Sequence, residues 1–157
     1  MIRLLLLVFF CSFLLIKVTE KYEQKGYKEL TERLSGLGMR FPTIFLSQVY
    51  LETGNFTSRI YKENNNMMGM KLPFYRESLA IGENLGHAVY ENTGDCILDY
   101  IKWQEYWLPR YEENNGKLET DEDYLAFLNA IGYAEDKKYL DKIRNINKTV
   151  RKKLNLN

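Results

Sequence analysis

Ser47-Gln48-Val49-Tyr50-Leu51-Glu52-Thr53-Gly54-Asn55-Phe56 is the stretch whose reading decides the fold. Pro42 suits the first turn of a helix, and the apolar spacing carries that helix to Leu51 or Glu52. Phe45, Gln48, Val49 and Glu52 fall on one stripe at i, i+3, i+4, i+7 spacing. Gly54 is placed to stop the helix. An acid therefore sits on the last turn, where the partial negative charge of the helix end favours its protonated form. Partial burial beside Phe45 and Val49 pushes in the same direction. A carboxyl with a raised pKa is what a general acid for glycosidic cleavage requires. The chain holds 21 acidic residues, so an ordinary solvated glutamate is the competing reading for Glu52.

Outward from this stretch, Val18 to about Leu37 reads as a charged amphipathic helix, ended by Gly36 and Gly38. Thr57 or Ser58 caps a short helix that ends in Asn64-Asn65-Asn66. Residues 71–89 lack helical periodicity and contain Pro73, Gly82 and Gly86, which predicts a loop with one short hairpin. Thr93 is read as the N-cap of the next helix, with Pro109 at or just beyond its end and a polar loop over Glu112–Lys117. Thr120 and Asp123 form a capping box, Gly132 closes the helix it opens, and a last basic helix covers about Asp136–Leu154. The expected fold is α+β, predominantly α-helical, with a small irregular or β lobe inserted after the Glu52 region.

Composition narrows the function. In 157 residues, 14% aromatic content supports a buried core in a single domain, and a net charge of +1 supplies no field for nucleic acid. Two cysteines, Cys11 and Cys96, do not make a disulfide framework or a zinc site, and one histidine, His87, argues against a Ser/His triad or a histidine-based metal site. No metal or cofactor is expected. The apolar run Leu4–Ile16 spans roughly 20 Å as a helix, short of the ~30 Å bilayer core. It reads as an export signal or membrane anchor over residues 1–17, leaving 18–157 as the folded domain. An exported, periplasmic or envelope-associated monomer is expected.

Several side chains have plain structural readings: Asn65 and Asn66 as caps, Met67, Met68 and Met70 as core filler, Tyr133, Trp103, Trp107 and His87 as packing residues. The basic run Arg144, Lys148, Arg151, Lys152, Lys153 is a solvated helix face, or a surface for anionic cell-wall polymer or lipid.

Four segments in order resemble the mannosyl-glycoprotein endo-β-N-acetylglucosaminidase-like peptidoglycan hydrolases, which include flagellar rod-assembly proteins and many autolysins. Gln48 through Glu52-Thr53-Gly54 is similar to the family's Gln-x-x-x-Glu-Ser-Gly, and Asn65-Asn66-Met67-Met68-Gly69-Met70-Lys71 to its Asn-Asn-Leu-Phe-Gly-Ile-Lys. Ala88-Val89-Tyr90 with Ile97-Leu98-Asp99-Tyr100, and Gly132-Tyr133-Ala134-Glu135-Asp136 with Tyr139, resemble two further segments. The matches cover about Phe41–Ile146. The resemblance implies a lysozyme-like fold with the lobe beside the active-site cleft, and cleavage of the peptidoglycan glycan backbone. It carries over Glu52 as general acid, Asn66 as a substrate-contact or site-shaping residue, and Tyr133 as a site tyrosine, with Asn65 and Met68 beside them. Thr53 and Met68 depart from the family's serine and aromatic residue. For the second carboxylate the lobe offers Glu77 and Glu83, with Glu91 just after it, and Glu83 is the choice. If none serves, the alternative is substrate assistance, or a non-catalytic lysozyme-like module that binds glycan or builds an envelope or virion.

Overall fold

A computed structural model describes residues 25–156. The proposed export signal or anchor at Leu4–Ile16 lies outside them. Among the described residues, six helices and one hairpin follow in order: α1 (residues 25–36), α2 (Pro42–Glu52), α3 (Arg59–Asn64), β1 (Gly82–Asn84), β2 (His87–Val89), α4 (Thr93–Asn115), α5 (Asp121–Ala130) and α6 (Tyr139–Lys153). The fold is therefore α+β and predominantly helical, as the periodicity predicts. No helix among the described residues is long and apolar enough to cross a membrane.

The helical body holds the core. Phe45 and Ile44 of α2, Tyr100 and Leu108 of α4, Tyr124, Leu125, Phe127 and Leu128 of α5 and Ile143 of α6 are buried together. Helix α2 packs most extensively on α6. Asp121, in the first turn of α5, ties three helices at one point. It accepts hydrogen bonds from Thr43 Oγ1 (3.2 Å), Asn147 Nδ2 (2.9 Å) and Arg151 Nη1 (2.9 Å). The capping box is present: Thr120 Oγ1 accepts from the Asp123 amide (3.1 Å), and Asp123 Oδ2 accepts from the Thr120 amide (2.8 Å).

Helix α2 ends in a Schellman arrangement. The Gly54 amide donates to Leu51 O (3.1 Å) and the Asn55 amide to Tyr50 O (3.1 Å), with Gly54 left-handed at φ 53°. Thr53 is fully buried and donates to Val49 O (2.7 Å), so the last turn is closed from inside as well. Glu52 is thereby fixed at the mouth of a well-terminated helix.

Two expectations need correction. The N-cap of α4 is Asn92, whose Oδ1 accepts from the Asp95 amide (3.0 Å); Thr93 is the first helical residue. Pro109 does not end α4, which runs on to Asn115 and takes in most of the expected polar loop. Pro109 forfeits one helical hydrogen bond on an exposed face. The turns beyond it are held by Arg40, which forms a two-pronged ion pair with Glu112 at 2.8 and 3.1 Å.

The lobe is built differently. β1 and β2 pair antiparallel, with Gly82 opposite Val89 and Asn84 opposite His87. Leu85 and Gly86 turn the chain at φ 56° and 72°, which suits a tight two-residue hairpin. Buried Asp99 of α4 holds the preceding loop. It accepts from Arg76 Nη1 and Nη2 (2.8 and 3.0 Å), Ser78 Oγ (3.1 Å), the Leu79 amide (3.0 Å) and Tyr90 OH (2.8 Å). These donors keep the Asp99 carboxyl below its usual range despite the opposing effect of burial.

Candidate active site

Glu52 is half-buried at the C-terminal end of α2, and burial raises its pKa. Hydrogen bonding by the Tyr139 side chain and the nearby charge of His87 oppose that rise without cancelling it. The carboxyl faces bare backbone. Gly69 has φ +62°, and a Cβ built on it would lie 3.4 Å from Glu52 Oε2. Any side chain there would be strained by the left-handed backbone, and its Cβ would touch the carboxyl.

Behind Glu52 runs a buried chain of hydrogen bonds whose direction can be deduced. Gln104 Nε2 donates to Tyr124 OH (2.8 Å). Tyr100 OH lies 2.7 Å from Gln48 Oε1, which only accepts, so Tyr100 must donate to it. Tyr100 therefore accepts the proton of Tyr124 OH, 2.7 Å away. Gln48 Nε2 then donates to Tyr139 OH (3.0 Å), leaving the Tyr139 proton for Glu52. Burial pushes the Tyr100, Tyr124 and Tyr139 hydroxyls up from the usual phenol range, so they remain neutral donors. Tyr133 packs against Tyr139 and Trp103, with ring centroids 5.7 and 5.4 Å apart, and its hydroxyl is influenced electrostatically by Glu52. The structure thus packs Tyr133 against Tyr139, the tyrosine that acts on Glu52.

The asparagine segment is organised around Gly69. Asn66 is buried and spends its whole amide on the protein. Nδ2 donates to Met70 O (2.8 Å) and Ala88 O (2.9 Å), while Oδ1 accepts from the Met68 and Met70 amides (3.2 and 3.0 Å). Asn65, left-handed at φ 51°, donates to Tyr90 O and Glu91 O, both at 3.0 Å. Met68 is core. Asn66 and Met68 are both buried, and of the two roles expected for Asn66 their placement favours shaping of the turn.

Glu83 lies exposed on β1, in register with Ala88, and no interaction joins it to Glu52 among the described residues. Glu77 and Glu91 are likewise exposed and unconnected to Glu52. His87 and Tyr139 are the groups that act on it. The sequence reading put His87 among packing residues and quoted Tyr139 only within a motif. No cluster of metal-ligating side chains occurs among the described residues.

Comparison with curated proteins yields no match. Among solved structures, the chain is similar to the catalytic domain of the autolysin Auto from Listeria monocytogenes. The TM-score is 0.55 at 16% identity, over 88% of this chain and 87% of that one. That likeness bears on the fold, a lysozyme-like α+β arrangement. The family model described as Mannosyl-glycoprotein endo-beta-N-acetylglucosaminidase matches residues 27–152, which spans every element from α1 to α6. A helix-end acid facing a glycine turn, inside a match of that extent, assigns the chain to the mannosyl-glycoprotein endo-β-N-acetylglucosaminidase family of glycoside hydrolases.

Proposed function

We propose that this glycosidase cleaves the N-acetylglucosaminyl–N-acetylmuramyl backbone of peptidoglycan, with Glu52 as the general acid. One observation carries the residue assignment: the Glu52 carboxyl is pushed towards its protonated form by burial while it stays half-exposed over the Gly69 turn. It is thus a proton donor open to substrate on one side and wired into the protein on the other. The substrate class is supported by the family match and by the likeness to an autolysin catalytic domain. Peptidoglycan lies outside the cytoplasmic membrane, so the site of action is extracytoplasmic, and Leu4–Ile16 is assigned as the export signal or anchor that takes the domain there.

The test is release of reducing ends from purified peptidoglycan by the full chain. Glu52→Gln is expected to lose about 10²–10⁴-fold in kcat, the usual contribution of a positioned proton donor. Equal rates for the two proteins would remove Glu52 from the role. Tight sacculus binding by the wild type without released reducing ends would favour the glycan-binding module instead.

A further inference from the structure

Resting on the reading of Glu52 as general acid, we propose that His87 is the second catalytic group, the base that activates the attacking water. The backbone that carries His87 is clamped to the turn facing Glu52. The Ala88 amide donates to Met70 O (2.9 Å), Asn66 Nδ2 donates to Ala88 O (2.9 Å), and Asn64 Nδ2 donates to His87 O (3.3 Å). The ring is fixed as well. Nδ1 lies 2.9 Å from Gly69 O, and a carbonyl only accepts, so Nδ1 carries the hydrogen. In the neutral ring the lone pair is then on Nε2, the arrangement of a histidine general base. Gly69 is the same residue whose Cα faces Glu52 Oε2. One glycine backbone therefore separates the two side chains, and His87 is half-exposed to receive water. Gly69 thus touches both His87 and Glu52, whereas Glu77, Glu83 and Glu91 are exposed side chains with no such shared neighbour among the hydrogen bonds of the described residues.

The step balances without a further reactant. Water oxygen bonds to the anomeric carbon as one water proton passes to His87 Nε2. The bond from that carbon to the glycosidic oxygen breaks, and the oxygen takes the Glu52 proton. Glu52 is left as carboxylate and His87 as imidazolium, and transfer of one proton from His87 back to Glu52, directly or through solvent, resets the pair. The products are a reducing sugar and a free sugar hydroxyl.

The experiment measures reducing ends released from peptidoglycan by the full chain, His87→Ala, His87→Gln, Glu83→Gln and Glu52→Gln, with sacculus binding and melting temperature recorded for each. His87→Ala is expected to lose about 10²-fold or more in kcat, to bind sacculi as the wild type does, and to regain about tenfold in rate on addition of imidazole, which supplies the missing base. Glutamine can donate to Gly69 O but cannot act as the base, so His87→Gln is expected to fold and remain slow, unaffected by imidazole; it answers the question if the alanine variant does not fold. Full activity in His87→Gln, a slow His87→Ala that imidazole does not restore, or loss confined to Glu83→Gln would each overturn the assignment. If Glu52→Gln is inactive while His87→Ala keeps the wild-type rate, only the His87 assignment fails. If the wild type releases nothing, the hydrolase reading fails with it.

Discussion

The helical body and the lobe bury polar groups for opposite purposes. In the body, Gln104, Tyr124, Tyr100, Gln48 and Tyr139 form one connected line inside an apolar core, and Tyr139, at its end, acts on Glu52. In the lobe there is little core. Phe74 is 97% exposed and Ile81 69%, with Leu72, Tyr75 and Leu85 also exposed. What holds the loop is a single buried carboxylate, Asp99, and its five donor contacts. The body positions an acid by packing that is distributed over many residues, whereas the lobe holds the loop that leads into its hairpin through one clamp. Failure in the first should be graded, and failure in the second abrupt.

Asp99→Ala is the strongest way to break that contrast. It leaves Arg76, 5% exposed, as an uncompensated buried charge, and the expected loss is about 3–5 kcal/mol in urea unfolding. If the lobe has no other support, hydrogen exchange of residues 71–89 will accelerate beyond that of α5. A loss under ~1 kcal/mol with unchanged exchange would show that the lobe does not hang on this clamp.

Tyr139→Phe tests the body. The hydroxyl's hydrogen bond lowers the Glu52 pKa, so removing it raises that pKa further. A general acid works while protonated and is lost as pH rises through its pKa. The alkaline limb of the kcat profile is therefore expected to move to higher pH, with folding retained. A limb that stays in place, or moves down, would break the line at its last link.

The smallest effect concerns stability. A raised pKa means that ionised Glu52 is less favourable in the folded than in the unfolded chain, at any pH above the unfolded value. Glu52→Gln should therefore melt higher than the wild type at neutral pH, by about 2 °C, and the gain should vanish below about pH 4, where both states hold the proton. A variant that melts lower at pH 7 would contradict the direction of the shift.

Much of this was legible in the residues. Pro42 and Gly54 frame α2, Thr120 and Asp123 cap α5, and Gly82 and Gly86 mark the hairpin, because each acts through its own backbone and a few neighbours. Pro109 misled for the complementary reason. Its local penalty is real, but packing of α4 and the Arg40–Glu112 pair outweigh it, and neither is visible from the sequence near residue 109. Glu52 could be singled out from its place at a helix end together with the ordered motifs around it, not from helix position alone. His87 and Tyr139 could not, since tertiary packing alone delivers them to Glu52 from distant parts of the chain. Likewise, adjacent asparagines look alike as letters; only the fold shows that Asn66 is walled in and Asn65 is not.

The one-way order of donors from Gln104 to Tyr139 has a consequence for the timing of catalysis. In the proposed reaction, when Glu52 releases its proton, negative charge appears where a row of dipoles already points its positive ends. Solvent would have to rotate to meet that charge; this row was set when the chain folded. Reorganisation is the part of a proton-transfer barrier that water imposes on the reaction, and here the core of the protein has completed it before substrate arrives.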